Sequence, residues 1–331
     1  MSSKRKGTEE KLYELRELSE QFCSPRDDAK LFAYLKDSSS AVVAKAAELV
    51  TDNELLETEA LLIEAYQRFL ENPLKTDCGC TAKLALLEAL VKTSQGSSEF
   101  FRDNLGYQQF EPVWGGRVDT AAVLRGTCAF GLAQTASHFD FAEVLSDLAA
   151  LLCDAEKMAR INAALAVGAY RHEGGIALLR LKVLQGDTEG EVIAKCFSAL
   201  LDLNFETQQD FVREHLVGTD SRWKFEAASA LSESSDERAV SILCNAHAEG
   251  VCVEFPQDLL RFIGLCRQRS ASEFLLSVLE NAEDSIAEKA LEALEPQRFY
   301  DDICAAIQKL IEKRDSHILE ELYETRFSPR N

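Results

Sequence analysis

The sequence predicts an all-α protein: a right-handed α-solenoid, or α-α superhelix, of about eight helix pairs. Three observations carry this expectation. A Lys or Arg returns about every 35 residues, at Lys45, Lys83, Arg125, Arg160, Lys195, Lys224, Arg261 and Lys289. An acid stands ahead of each (Asp37, Asp77, Asp119, Asp154, Asp187, Asp220, Asp258 and Asp284), and an Ala-rich run such as AALAV or EAASAL follows. Only six Pro and sixteen Gly occur in 331 residues, and abundant Ala, Leu and Glu favour helix. Self-similarity at such a period marks stacked supersecondary units. Each unit buries its apolar face only against its neighbours.

Along the chain, Leu12, Leu15 and Leu18 share one face of an entry helix over 9–22. Ser24-Pro25 reads as a helix start, with Ser as cap and Pro in the first turn. Helices then alternate in pairs. KLFAYLKD precedes SSSAVVAKAAELV, and NELLETEALLIEAYQRFLENP precedes DCGCTAKLALLEALVK. FDFAEVLSDLAALLCD precedes EKMARINAALAVGAY, and GGIALLRLKVLQGD precedes EGEVIAKCFSALLDL. TQQDFVREHLVG with DSRWKFEAASALSES, ERAVSILCNAHAEG with FPQDLLRFIGLCRQ, and SASEFLLSVLENA with EDSIAEKALEALEP complete the series. First helices carry large apolar residues and second helices carry Ala and Gly, so the second helices are expected to be packed on both sides. The turn acid is placed to cap the second helix. The expected organisation is a tail and capping helix over 1–26, a repeat array over 27–296 and closing helices over 297–331. One irregular insertion interrupts the array at about 95–120.

A formal net charge of −20 has the wrong sign for displacing counterions from nucleic acid or for docking on anionic membranes. A basic protein or peptide is the better electrostatic match. No apolar run reaches the roughly 20 residues needed to span a bilayer. MSSKRKGTEEKL lacks the apolar core of a secretory signal. Most of the ten Cys sit at apolar helical positions, as in RGTCAFGL. They are expected to be free thiols acting as small hydrophobes in a reducing, cytoplasmic compartment.

The Asp turn, the following basic residue and the Ala-rich helix of DAEKMARINAALAVGAY resemble HEAT repeats, and more closely the short PBS-lyase HEAT-like repeats. The resemblance spans roughly residues 27–296 and bears on fold far more than on activity. It implies that second helices line a concave face. It also implies that turn acids (Asp119, Asp154, Asp187 and Asp220) pair with the basic residues as an internal ladder. The competing expectation is that Arg125, Arg160 and Lys195, with Asn162 in the same run, form a stripe that meets a partner.

The insertion GSSEFFRDNLGYQQFEPVWGGRVDT is the second candidate site. It holds Trp114 and Arg117 in a Pro/Gly-containing segment, where binding residues tend to lie. Trp and Arg are also the side chains richest in interface energy. The bland reading makes Trp114 a seal over an irregular seam. Deoxyhypusine hydroxylases of HEAT-like build hold two irons with several His-Glu pairs, whereas His172-Glu173 stands alone here, so no metal site is expected. Cys78-Gly79-Cys80 is C-x-C rather than a zinc-type C-x-x-C. It opens a second helix, where the dipole can lower a thiol pKa. A DNA-glycosylase reading conflicts with the charge. The favoured function is a non-catalytic protein–protein interaction scaffold or adaptor with no cofactor, no nucleic-acid partner and no membrane partner. The alternative is a bilin-lyase-like enzyme subunit or chaperone acting on a phycobiliprotein or other client.

Overall fold

Small residues at helix contacts and an acid in the turn ahead of them recur through the structure. The computed structural model describes residues 7–21, 25–136, 140–218, 222–251 and 258–327. They contain nineteen α-helices, two short 3-10 turns and one two-stranded sheet. The chain divides into two compact units, Met1–Leu178 and Leu179–Asn331.

The first unit contains α1 (Thr8–Gln21), α2 (Pro25–Leu35), α3 (Ser40–Asp52), α4 (Glu59–Leu70), α5 (Pro73–Thr76), α6 (Thr81–Lys92) and α7 (Ser98–Asn104). Then come β1 (Phe110–Val113), β2 (Gly116–Asp119), α8 (Ala122–Thr135), α9 (Phe141–Leu151) and α10 (Lys157–Tyr170). α11 (Gly174–Gln185) crosses the boundary between the units. One row of helices packs in order, α3 on α6, α6 on α8 and α8 on α10. α2, α4, α7 and α9 pack on α3, α6, α8 and α10 respectively, and α1 covers α3.

Small side chains recur along this row. Ala44, Ala46 and Ala47 of α3, and Ala163, Ala164 and Ala166 of α10, are buried. A Cβ on Gly126 of α8 would stand 2.3 Å from Asn162 Nδ2 of α10, and one on Gly131 would stand 2.5 Å from the Phe101 ring of α7. These glycines therefore set the approach of α8 to its neighbours. Larger side chains fill the space behind: Leu62, Tyr66, Phe69 and Phe101 are essentially inaccessible.

The second unit continues with α12 (Gly190–Val217), α13 (Lys224–Glu233), α14 (Glu237–Ala248), α15 (Asp258–Leu265), α16 (Arg269–Asn281), α17 (Asp284–Ala293), α18 (Asp301–Arg314) and α19 (His317–Phe327). α12, α13, α15, α17 and α19 pack successively, and α14, α16 and α18 form a second row beside them. Two helices expected over 189–218 form one element broken at Asn204, where φ is −162° and ψ is 93°. Asn204 Oδ1 accepts the Thr207 N–H at 3.1 Å, so the break caps the second half. Gly264 of α15 meets the backbone of α17, and a Cβ there would lie 2.1 Å from the Ala293 carbonyl oxygen.

The predominantly helical architecture agrees with the sequence reading. The departure is the insertion at 95–120. It contains α7 and a β-hairpin, where the sequence reading expected an irregular loop.

Candidate functional site

Turn acids organise the first unit from inside. Asp77 accepts the N–H groups of Ala82 at 2.9 Å and Lys83 at 3.0 Å, capping α6, and Lys83 Nζ at 2.8 Å. Both side chains of that ion pair are 0% exposed. Asp119 accepts the N–H groups of Gln109 and Ala121 at 3.0 Å each, and Arg125 Nη1 at 2.7 Å. Arg125 also reaches forward. Its Nε and Nη2 engage both Asp154 oxygens at 2.8 Å, and Nη1 donates to the Tyr107 carbonyl at 2.9 Å. Arg160 Nη1 donates to the backbone oxygens of Asp154 and Ala155.

Burial alone would raise the Asp119 pKa. The hydrogen bonds from Gln109, Ala121 and Arg125 outweigh it and hold the carboxyl below its ordinary range. Burial likewise opposes the charge on Arg125, but Asp154 and Asp119 more than compensate. Satisfied on both flanks, these charges escape the penalty that an unpaired buried ion carries.

The hairpin grows out of this locked base. β1 and β2 are antiparallel, with Phe110 opposite Asp119, Glu111 opposite Val118, Pro112 opposite Arg117 and Val113 opposite Gly116. Trp114-Gly115 makes the turn, and Gly115 supplies the positive φ of 89° that its second position requires. Inward, Glu111 is buried and accepts four hydrogen bonds: Cys78 Sγ at 2.7 Å, Gly79 N at 2.6 Å, Gln109 Nε2 at 2.7 Å and Thr120 Oγ1 at 2.9 Å. Those bonds, the thiol's first, pull its pKa to about 2 against burial. The same bond pushes the exposed Cys78 thiol up, opposite to the helix-dipole expectation. Cys80 beside it is buried, and burial raises its pKa as well.

Outward, the hairpin is bare. Trp114 is fully exposed, with Phe110, Val113 and Val118 about half exposed and Arg117 open to solvent. Trp114 therefore seals no seam. Arg125 and Arg160 stand elsewhere than in a partner-facing stripe: they are 2% and 8% exposed and engaged in the turns. Asn162 is half-buried against Gly126. In the second unit, Lys195 pairs with Glu233 at 2.7 Å, and Asp187 is held by Lys182 at 2.7 Å. Asp220 lies outside the described residues. His172 stacks on Phe141 at 4.3 Å, and its Nδ1 accepts the Gly174 N–H. No group of three or more His, Cys, Asp or Glu among the described residues could hold a metal ion. No helix among them is long and apolar enough to cross a membrane.

Sequence reasoning missed Glu111 and the pairing of the strands. The signal was the F-E-P-V and G-R-V-D runs across a two-residue turn ending in Gly.

No family model matches the chain, and no curated protein matches it. Among solved structures, human deoxyhypusine hydroxylase in complex with glycerol is similar, at 16% identity over 81% of this chain and 96% of that chain, with a TM-score of 0.32. At that overlap the likeness carries no inference about activity.

Proposed function

We propose that this protein is a non-catalytic interaction scaffold, a right-handed solenoid of HEAT-like helix pairs whose hairpin captures another protein or peptide. One observation supports this above the others. Trp114 stands fully exposed on a hairpin whose root is held by buried, fully satisfied charges. A large amphipathic side chain presented rigidly loses little entropy on binding, and Trp with Arg is the commonest energetic anchor at protein interfaces. Free thiols at all eight described cysteines fit a cytoplasmic setting.

Trp114→Ala with Arg117→Ala should reduce partner capture at least about tenfold, the cost of losing a strong anchor, while helical circular dichroism is unchanged. Undiminished capture removes the hairpin from this reading. Incubating the protein with a tetrapyrrole and an apo-phycobiliprotein separates the bilin-lyase alternative, which alone would yield covalent colour.

A further inference from the structure

The second unit carries a surface where the charge of the chain reverses. Two clefts of about 480 and 490 Å³ lie side by side and share Leu265 and Pro296. Arg261, Arg298 and Arg326 line the first with Glu292 and Glu295. Arg267 and Arg269 line the second with Asp302. Among the described residues five arginines therefore face three acids, in a chain with twenty more acidic than basic side chains.

Two of the three acids are already engaged. Glu295 bridges Arg298 at 3.3 Å and Arg326 at 3.2 Å, and Glu292 lies 3.9 Å from Arg326. Arg269 pairs with Glu273 at 3.1 Å. Arg261 and Arg267 form no ion pair with another described residue, and both are exposed. Between them Leu265 is 58% exposed, and Tyr300 at the rim of the second cleft is 62% exposed. The surface is built: Gly264 lets α15 touch the backbone of α17, and the 3-10 turn Glu295–Gln297 brings Pro296 to the clefts that Leu265 also lines.

We propose that these paired clefts bind an acidic peptide segment of a partner protein, with carboxylates on Arg261 and Arg267 and an apolar side chain between them on Leu265 and Pro296. Guanidinium groups match carboxylates in two-point geometry. An extended segment turns every second side chain toward the same face, so the order acidic, apolar, acidic at alternate positions presents two carboxylates to the arginines with an apolar group between them. The net charge of −20 opposes any anionic partner, but a nucleic acid, with a charge on every nucleotide, is repelled more than a short peptide with a few carboxylates, and it brings no aliphatic side chain to Leu265 and Pro296. This surface is distinct from the hairpin and does not depend on it.

The test is fluorescence anisotropy on the whole chain with a labelled twelve-residue peptide that carries Glu, Leu, Glu and Tyr in turn at every second position, with Ser between. Binding is expected to weaken as salt rises, because exposed charges are screened. Arg261→Glu with Arg267→Glu should weaken it at least about tenfold, and the milder Arg261→Gln with Arg267→Gln should fall between. Leu265→Ser should weaken it as well. The charge-matched Lys75→Glu with Lys92→Glu, and the hairpin variant Trp114→Ala with Arg117→Ala, should leave it within about twofold. The proposal is overturned if the charge-matched variant loses as much as the arginine variant. It is equally overturned if a Lys-for-Glu peptide binds as well, or if a single-stranded oligonucleotide binds these arginines more tightly than the peptide.

Discussion

Lys83 and Asp77 form an ion pair shut off from water, and Asp77 also caps α6 through two N–H groups. Removing one member of a buried pair costs more than the pair contributes, because the survivor remains charged and unmatched. Lys83→Ala is therefore expected to cost about 3–5 kcal/mol in urea-unfolding free energy. Arg125 holds Asp154 with two parallel bonds and Asp119 with a third. A lysine keeps the charge but not the fork, so Arg125→Lys should cost about 2 kcal/mol or more. Glu111 has a depressed pKa, so its stabilising contribution is full above its ordinary value near 4.5 and is lost as pH falls toward about 2. Glu111→Gln should flatten the acid limb of a stability-versus-pH curve over that window. It should also free Cys78, whose thiol is kept protonated by that carboxylate. In wild-type protein, peptide mass spectrometry should show Cys78 alkylating more slowly than Cys153, which is also exposed, and the Gln variant should narrow the gap.

At the scale of the elements, helix period and small-residue pattern made the pairs legible, because two-sided packing favours Ala and Gly where second helices meet. The same rule explains which basic residues turn inward. Arg125 and Lys83 stand six residues after their acids, which lets the side chain double back to the turn. Arg160, at the same spacing, reaches the backbone oxygen of Asp154 instead of its carboxylate. Lys45 and Lys195 stand eight residues after theirs and pair with Glu48 and Glu233 instead. The acids are still engaged, but by Lys11 and Lys182, which no counting of the period would select. The hairpin was less legible. Its strands are four residues long, and one of their two inward carboxylates, Glu111, is bonded to Cys78, more than thirty residues away. A contact so distant in sequence leaves no local periodicity. Close approach also gives a test at this scale. Gly126→Ala drives a methyl into Asn162 and should cost about 1–3 kcal/mol, whereas Gly126→Ala combined with Asn162→Ala should recover part of the loss in the same denaturation assay.

For the molecule as a whole, two electrostatic regimes coexist. A net charge of −20 places a large excess of carboxylates on the surface, where they repel one another. The pairs Lys83–Asp77 and Arg125–Asp119 are nearly inaccessible to ions, whereas Lys195–Glu233 and Arg238–Asp236 are not. Salt therefore acts almost entirely on the outside. The Debye length falls from about 30 Å at 0.01 M to about 10 Å at 0.1 M, so added salt relieves the diffuse repulsion before it weakens close surface pairs worth about 0–1 kcal/mol each. The melting temperature should accordingly rise between 0.01 and 0.1 M NaCl. The destabilisation caused by Lys83→Ala should change little over the same range, because no counterion reaches that pair. A calorimetric series on wild type and variant checks both. A melting temperature that fell with salt would show that exposed ion pairs dominate over net repulsion, and a salt-dependent Lys83→Ala effect would place that ion pair within reach of solvent.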